Sequence, residues 1–262
     1  FFKYEKERWE APRLEYAILD ADDSNFVDEY TLTYAQQSAM DPTGDELEAF
    51  VAEMSAVLQA NNGLDVYKKD SFHGKLVLFD FRSHLYAPLI CLEKSNLKIQ
   101  LSPVALNTDE MRFVDYLKAY VDNHAAELVD KSLYLLRNKS KVGMGFFEAG
   151  NFYPDYILWI DTPETQYISF IDPKGLMHIR PDDPKIEFYK TIKDLETRLS
   201  PTADGKRIVL NSFIMAGTRS SDLRMWWSTP EVDADRAYRE ARNVYTLDND
   251  ECVESMMRKI LQ

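Results

Sequence analysis

The sequence predicts an α/β fold, a mixed central sheet flanked by helices, on the strength of three observations. Residues 107–262 alternate between helical and strand-like periodicity. Two neighbouring runs, Phe152–Ile160 and Tyr167–Ile171, are rich in aromatic and β-branched residues, and Thr162-Pro163-Glu164-Thr165 supplies a turn between them. Amphipathic helical stripes stand before and after those runs, so the sheet would be covered by helices.

The individual elements follow in order. Residues 1–42 are acidic and aromatic, with a strand expected at Arg13–Leu19. From Thr43, Leu47, Phe50, Val51, Met54, Val57 and Leu58 fall at helical spacing, and Asn61-Asn62-Gly63 ends the helix. Residues 64–106 read as β-rich, with runs at Lys75–Phe81, Leu85–Leu92 and Leu97–Leu101. Asn107-Thr108-Asp109-Glu110 then opens a helix whose buried stripe is Phe113, Leu117, Tyr120, Val121 and Leu128. Strands are expected at Ser132–Arg137, Met144–Ala149, Phe152–Ile160 and Tyr167–Ile171. A helix fits Pro184–Leu199, capped by Asp182 or Asp183, with Pro184 in its first turn and Ile186, Tyr189, Ile192 and Leu195 as its stripe. A strand at Lys206–Ala216, a polar tryptophan-bearing loop at Gly217–Arg242 and a terminal helix at Asp250–Leu261 complete the chain.

Bulk composition bounds the function classes. At 262 residues the chain holds one or two domains, divided here as 1–100, a mixed α/β N-terminal extension serving connection or docking, and 101–262. Its 45% hydrophobic and 29% charged residues suit a folded protein, and no apolar run approaches the roughly 20 residues of a membrane helix. Cys91 and Cys252 have no CxxC spacing, which favours a reducing, cytoplasmic setting. His73, His84, His124 and His178 lack paired ligand spacing, which argues against zinc. The chain begins at Phe1 rather than methionine and is expected to be a piece of a longer protein.

Net charge is −13, but it is unevenly spread: residues 1–60 hold fourteen acids against four bases, whereas residues 131–262 hold twenty against nineteen. Local charge governs phosphate contact. Basic clusters lie at Lys131, Arg137, Lys139 and Lys141 and at Lys206, Arg207, Arg219 and Arg224, although no strongly basic DNA-gripping surface is written here.

The candidate chemistry lies in Pro154-Asp155 and Asp172-Pro173-Lys174. If their strands pair as a hairpin, Asp155 and Asp172 sit side by side with Lys174 on the same face, two residues along. Two carboxylates can hold a hard cation, and cation and ammonium together offset charge on a scissile phosphate. Each residue also has a plainer reading. Asp155 suits a strand end, Asp-Pro-Lys-Gly suits a turn, and Asn107-x-x-Glu110 is a capping-box pattern. Lys139 and Lys141 suit a solvated loop as well as a phosphate clamp, and Tyr153 and Trp226-Trp227 suit a core as well as base stacking.

With a helix, strands, Pro-Asp, Asp-x-Lys, a helix and a strand in that order, residues 100–262 resemble the PD-(D/E)XK restriction-endonuclease-like nucleases. The closer likeness is to the nuclease part at the C-terminal end of DEAD/DEAH-box helicase proteins of the restriction and phage-defence type, including type III restriction subunits. It is carried by Leu106–Val114, by Gly145–Asp155 and by Phe170-Ile171-Asp172-Pro173-Lys174-Gly175. The resemblance implies that Asp155 and Asp172 bind the metal, that Lys174 positions or activates water, that Glu110 supports the metal, and that Pro173 offers it a backbone carbonyl. A proline there departs from the pattern of a central strand, because it cannot donate to a ladder.

These readings predict a Mg²⁺-dependent DNA endonuclease domain, with Mn²⁺ able to substitute, fed by helicase domains in the same or a partner chain. The chain itself has neither a G-x-x-x-x-G-K-[ST] loop nor an Asp-Glu-x-[Asp/His] box, so it should not hydrolyse ATP. The alternative is a catalytically inactive nuclease-like scaffold for protein docking or DNA positioning. An RNA-directed or structure-specific nuclease ranks third, because no aromatic RNA-binding signature is present.

Overall fold

The structure is a computed structural model that describes residues 106–138, 145–146, 149–150 and 152–262, preceded by short backbone segments. The chain divides into two compact units, one spanning Val27–Met111 and the other including Arg112–Gln262. In the first, β1 (Thr31–Tyr34) pairs antiparallel with β5 (Ile99–Ser102), and β2 (Val66–Ser71), β3 (Gly74–Phe79) and β4 (Leu89–Leu92) form an antiparallel meander. The polar Lys68-Lys69-Asp70 hid β2 from a hydrophobicity reading. Asp45, Glu48, Ala49 and Ala52 are helical, as the spacing from Thr43 predicts, while the expected strand at Arg13–Leu19 lies outside the described residues.

Helix α1 (Thr108–Asn123) leads into a five-stranded sheet of β6 (Ser132–Arg137), β7 (Tyr156–Asp161), β8 (Thr165–Lys174), β9 (Arg207–Ala216) and β10 (Val244–Thr246). Its order is β10-β9-β8-β7-β6. Strands β6, β7 and β8 form an antiparallel meander, and β8, β9 and β10 run parallel. A parallel step needs a crossover. Helix α2 (Pro184–Glu196) supplies it between β8 and β9, and the pair α3 (Ser220–Trp227) and α4 (Arg236–Glu240) between β9 and β10. Helix α5 (Glu251–Ile260) follows. Among the described residues no helix is long and apolar enough to cross a membrane.

Both faces of the sheet are covered, which is why β8, at its centre, is buried almost throughout instead of alternating. On one face Phe146 lies between Phe170 of β8 and Phe188 of α2, with ring centroids 4.7 and 4.5 Å away. On the other, Phe113 of α1 packs 5.5 Å from Tyr156 of β7.

Three expectations are corrected. Among the described residues of Met144–Ala149 no named strand forms; Phe146 makes only a bridge to Phe152, and the following strand begins at Tyr156 because Pro154 cannot donate to the ladder. Gly217–Arg242 is not a loop, since α3 and α4 lie within it. In α2 the apolar face is Ile186, Phe188 and Ile192, with Phe188 rather than Tyr189 turned inward. The cap is Asp183, whose side chain accepts the Lys185 N–H at 2.9 Å.

Candidate active site

The β7–β8 ladder ends at Tyr156↔Ile171. A strand continued by one residue would set Asp155 opposite Asp172, on a shared face, but Asp155 is a bend residue just before β7. Alternation along β8 puts Phe170, Asp172 and Lys174 on the face covered by α2. Asp172 is 5% exposed, and Lys174 Nζ donates to its Oδ2. The same ammonium stands 5.4 Å from the centroid of the Phe152 ring. The structure brings Asp172 and Lys174 into contact, and Asp155 lies just before β7, one residue past the last β7–β8 pair.

One residue farther along each segment stands a proline, Pro154 before β7 and Pro173 within β8. Thr162 N–H donates to Thr165 O on the β7 side, and Gly217 N–H donates to Lys174 O on the β9 side. Since peptide groups alternate in direction along a strand, Pro173 turns its nitrogen and carbonyl toward β7, where the ladder has stopped. A proline in a central strand is tolerated here because its missing N–H faces no partner strand. Neither proline has an N–H for a further ladder bond, and the β7–β8 pairing ends at Tyr156↔Ile171.

Asn138 fixes the Pro154-Asp155 turn. Its backbone N–H donates to Asp155 O at 2.8 Å, and its side-chain Nδ2 donates to Pro154 O at 2.8 Å. Before the turn, the ring of Tyr153 closes over Gly145 so tightly that a Cβ there would sit 2.5 Å from its Cε1. Tyr153 is thus a packing ring at this contact. Neither Asn138 nor Gly145 stands out in the sequence, because each acts on residues brought close by pairing.

Glu110 closes a reciprocal capping box at the start of α1. Its Oε2 accepts the Asn107 N–H at 3.0 Å, while Asn107 Oδ1 accepts the N–H groups of Asp109 and Glu110 at 2.9 and 3.0 Å. Phe113, farther along α1, packs on Tyr156, which lies on the face opposite Asp172. Lys139 and Lys141, together with Glu148, lie outside the described residues. Several other cations of the basic clusters are engaged with acids: Lys131 with Asp130, Lys206 with Asp161, and Arg224 with Asp233. Trp227 is buried and donates its Nε1–H to Ile179 O at 2.8 Å, whereas Trp226 is exposed. His124 Nδ1 lies 2.9 Å from Tyr120 O in a local structural contact. Among the described residues, no three side chains of His, Cys, Asp or Glu form a group that could hold a metal ion.

In comparisons with family models, curated proteins and solved structures, nothing matched this chain.

Proposed function

We propose that the unit containing Arg112–Gln262 is a restriction-endonuclease-like nuclease domain that hydrolyses phosphodiester bonds in DNA with Mg²⁺. The observation that carries this reading is the Lys174 ammonium bonded to the buried Asp172 carboxylate beside the end of the β7–β8 ladder, with Asp155 the residue just before β7. The element order supports it: a helix, three antiparallel strands, a helix and a parallel strand.

The donor set suits the metal. Mg²⁺ takes oxygen ligands, retains several waters and is commonly held through one or two carboxylates. Asp155, Asp172 and the ladder-free carbonyl of Pro173 would hold it, and Mn²⁺ would occupy the same donors. When bound, the ion supplies charge neutralisation at the phosphate and a more acidic water. Lys174 carries three donor hydrogens, one of them toward Asp172, and the others are suited to a phosphate oxygen or the attacking water. The Phe152 ring beneath the ammonium limits its range. Asn138 holds the Asp155 backbone in place.

Because basic side chains such as Lys131, Lys206 and Arg224 are paired with acids, DNA delivery by helicase domains in the same or a partner chain fits this charge distribution. The setting would be the cytoplasm, in restriction or phage defence. Plasmid DNA incubated with Mg²⁺ or Mn²⁺ tests the activity: cleavage should disappear in Asp172→Ala, and cleavage unchanged by that substitution removes the site. A catalytically inactive scaffold is the second reading, favoured by the ammonium already seated on Asp172. Absence of cleavage and of metal binding, even with the partner helicase present, would select it.

A further inference from the structure

We propose that a pocket at the carboxyl ends of β8 and β9 binds an unpaired nucleobase of a DNA strand whose backbone lies at Lys174. The choice of occupant rests on the nuclease reading; the pocket does not. It has a volume of about 600 Å³, within the usual range for ligand sites. In open α/β sheets, ligands bind in the crevice outside the carboxyl ends of parallel strands, and β8 and β9 run parallel to Lys174 and Ala216. The first lining residue, Leu176, is two residues past Lys174, a span of at most about 7 Å.

The pocket is held open by its own framework. Trp227 Nε1–H donates to Ile179 O, and Leu176 N–H donates to Thr218 Oγ1, each at 2.8 Å. Within this frame His178 has a φ of 96°, a conformation that costs energy for a residue with a side chain and that recurs where ligands are clamped.

Its walls suit a flat, apolar surface with a charged edge. Trp226, Met177 and His178 line it, and Trp226 and Met177 remain 43% and 56% exposed despite their size. A nucleobase of any identity presents a π-face to such a wall. On the rim, Arg180 is paired with Asp182 at 3.3 Å, and both side chains are largely exposed. An exposed pair of this kind is weak and can yield its guanidinium to a phosphate. An apolar anchor from a protein partner would also fill the pocket, but it would make no use of the neighbouring Lys174 or of the rim arginine.

Fluorescence polarisation of a labelled single-stranded DNA oligonucleotide, with the whole chain in EDTA, tests this apart from cleavage. Trp226→Ala should weaken binding by about 10- to 100-fold and Trp226→Phe by much less, while binding of blunt duplex should not respond. If Trp226→Ala binds the oligonucleotide as the wild type does, or if the wild type does not bind it, the proposal is overturned and the surface is left to a protein partner. The two readings fail separately. Cleavage lost in Asp172→Ala alongside unchanged oligonucleotide binding in Trp226→Ala defeats the pocket alone; cleavage surviving Asp172→Ala alongside weakened binding in Trp226→Ala defeats the nuclease site alone.

Discussion

Tyr156 faces Ile171 as the last pair of the β7–β8 ladder, and two residues past that pair on each chain segment stands a proline, Pro154 or Pro173, with no N–H to give. Asp155 lies just before β7, whereas Asp172 stays in β8, paired with β9 but past the last β7 pair. Pro173→Ala adds an N–H on the β7 side of β8, the side on which the ladder stops. Amide exchange should show the N–H introduced by that substitution protected, stability should change by no more than about 1 kcal/mol, and cleavage should fall severalfold.

Asn138→Ala removes the Nδ2 bond to Pro154 O while leaving the backbone bond to Asp155. A loss of about 1 kcal/mol in urea unfolding is expected. The effect on Mn²⁺ affinity should exceed what that loss of stability explains, because the freed turn carries Asp155. Calorimetric titration of the variant measures it.

The Lys174–Asp172 pair should be coupled in stability. Lys174→Met strands a carboxylate that is 5% exposed and should cost about 1–3 kcal/mol. Adding Asp172→Asn should recover much of that loss. A double-mutant cycle by urea denaturation reads the coupling, and additive effects would contradict the contact.

Burial in the core pushes the Cys252 thiol up to about 12 from its ordinary 9.0. Iodoacetamide at pH 8 should therefore modify Cys252 slowly in the folded chain and rapidly in urea, as followed by mass spectrometry of its peptide. The sign of the linkage follows from a raised folded value. The contribution to stability is whole below pH 9.0 and is lost as pH rises toward about 12, because only the unfolded thiol ionises readily there. Cys252→Ala should flatten that part of the stability profile.

Much of the sheet was legible where local chemistry and tertiary packing agree. Ser132–Arg137 forms as read, and Asp183-Pro184 starts α2 because cap and first-turn signals coincide. Asp172 and Lys174 sharing a face followed from a period of two residues along one strand. Helices α3 and α4 were hidden because each is short and mixes apolar with charged residues, and Pro230 lies between them. Strand β10 has only three residues and gains its place by pairing with β9. Asn138 could not be found locally, since the carbonyl its side chain holds lies sixteen residues away. The two prolines were visible as letters, but their meaning depends on register.

Titration calorimetry with Mn²⁺ on the wild type, Asp155→Ala and Asp172→Ala addresses the shared cation most directly. One ion should bind the wild type through this site, and either substitution should abolish that binding while the fold persists by circular dichroism. Binding that survives both substitutions, or a wild type that takes up no ion, contradicts the account.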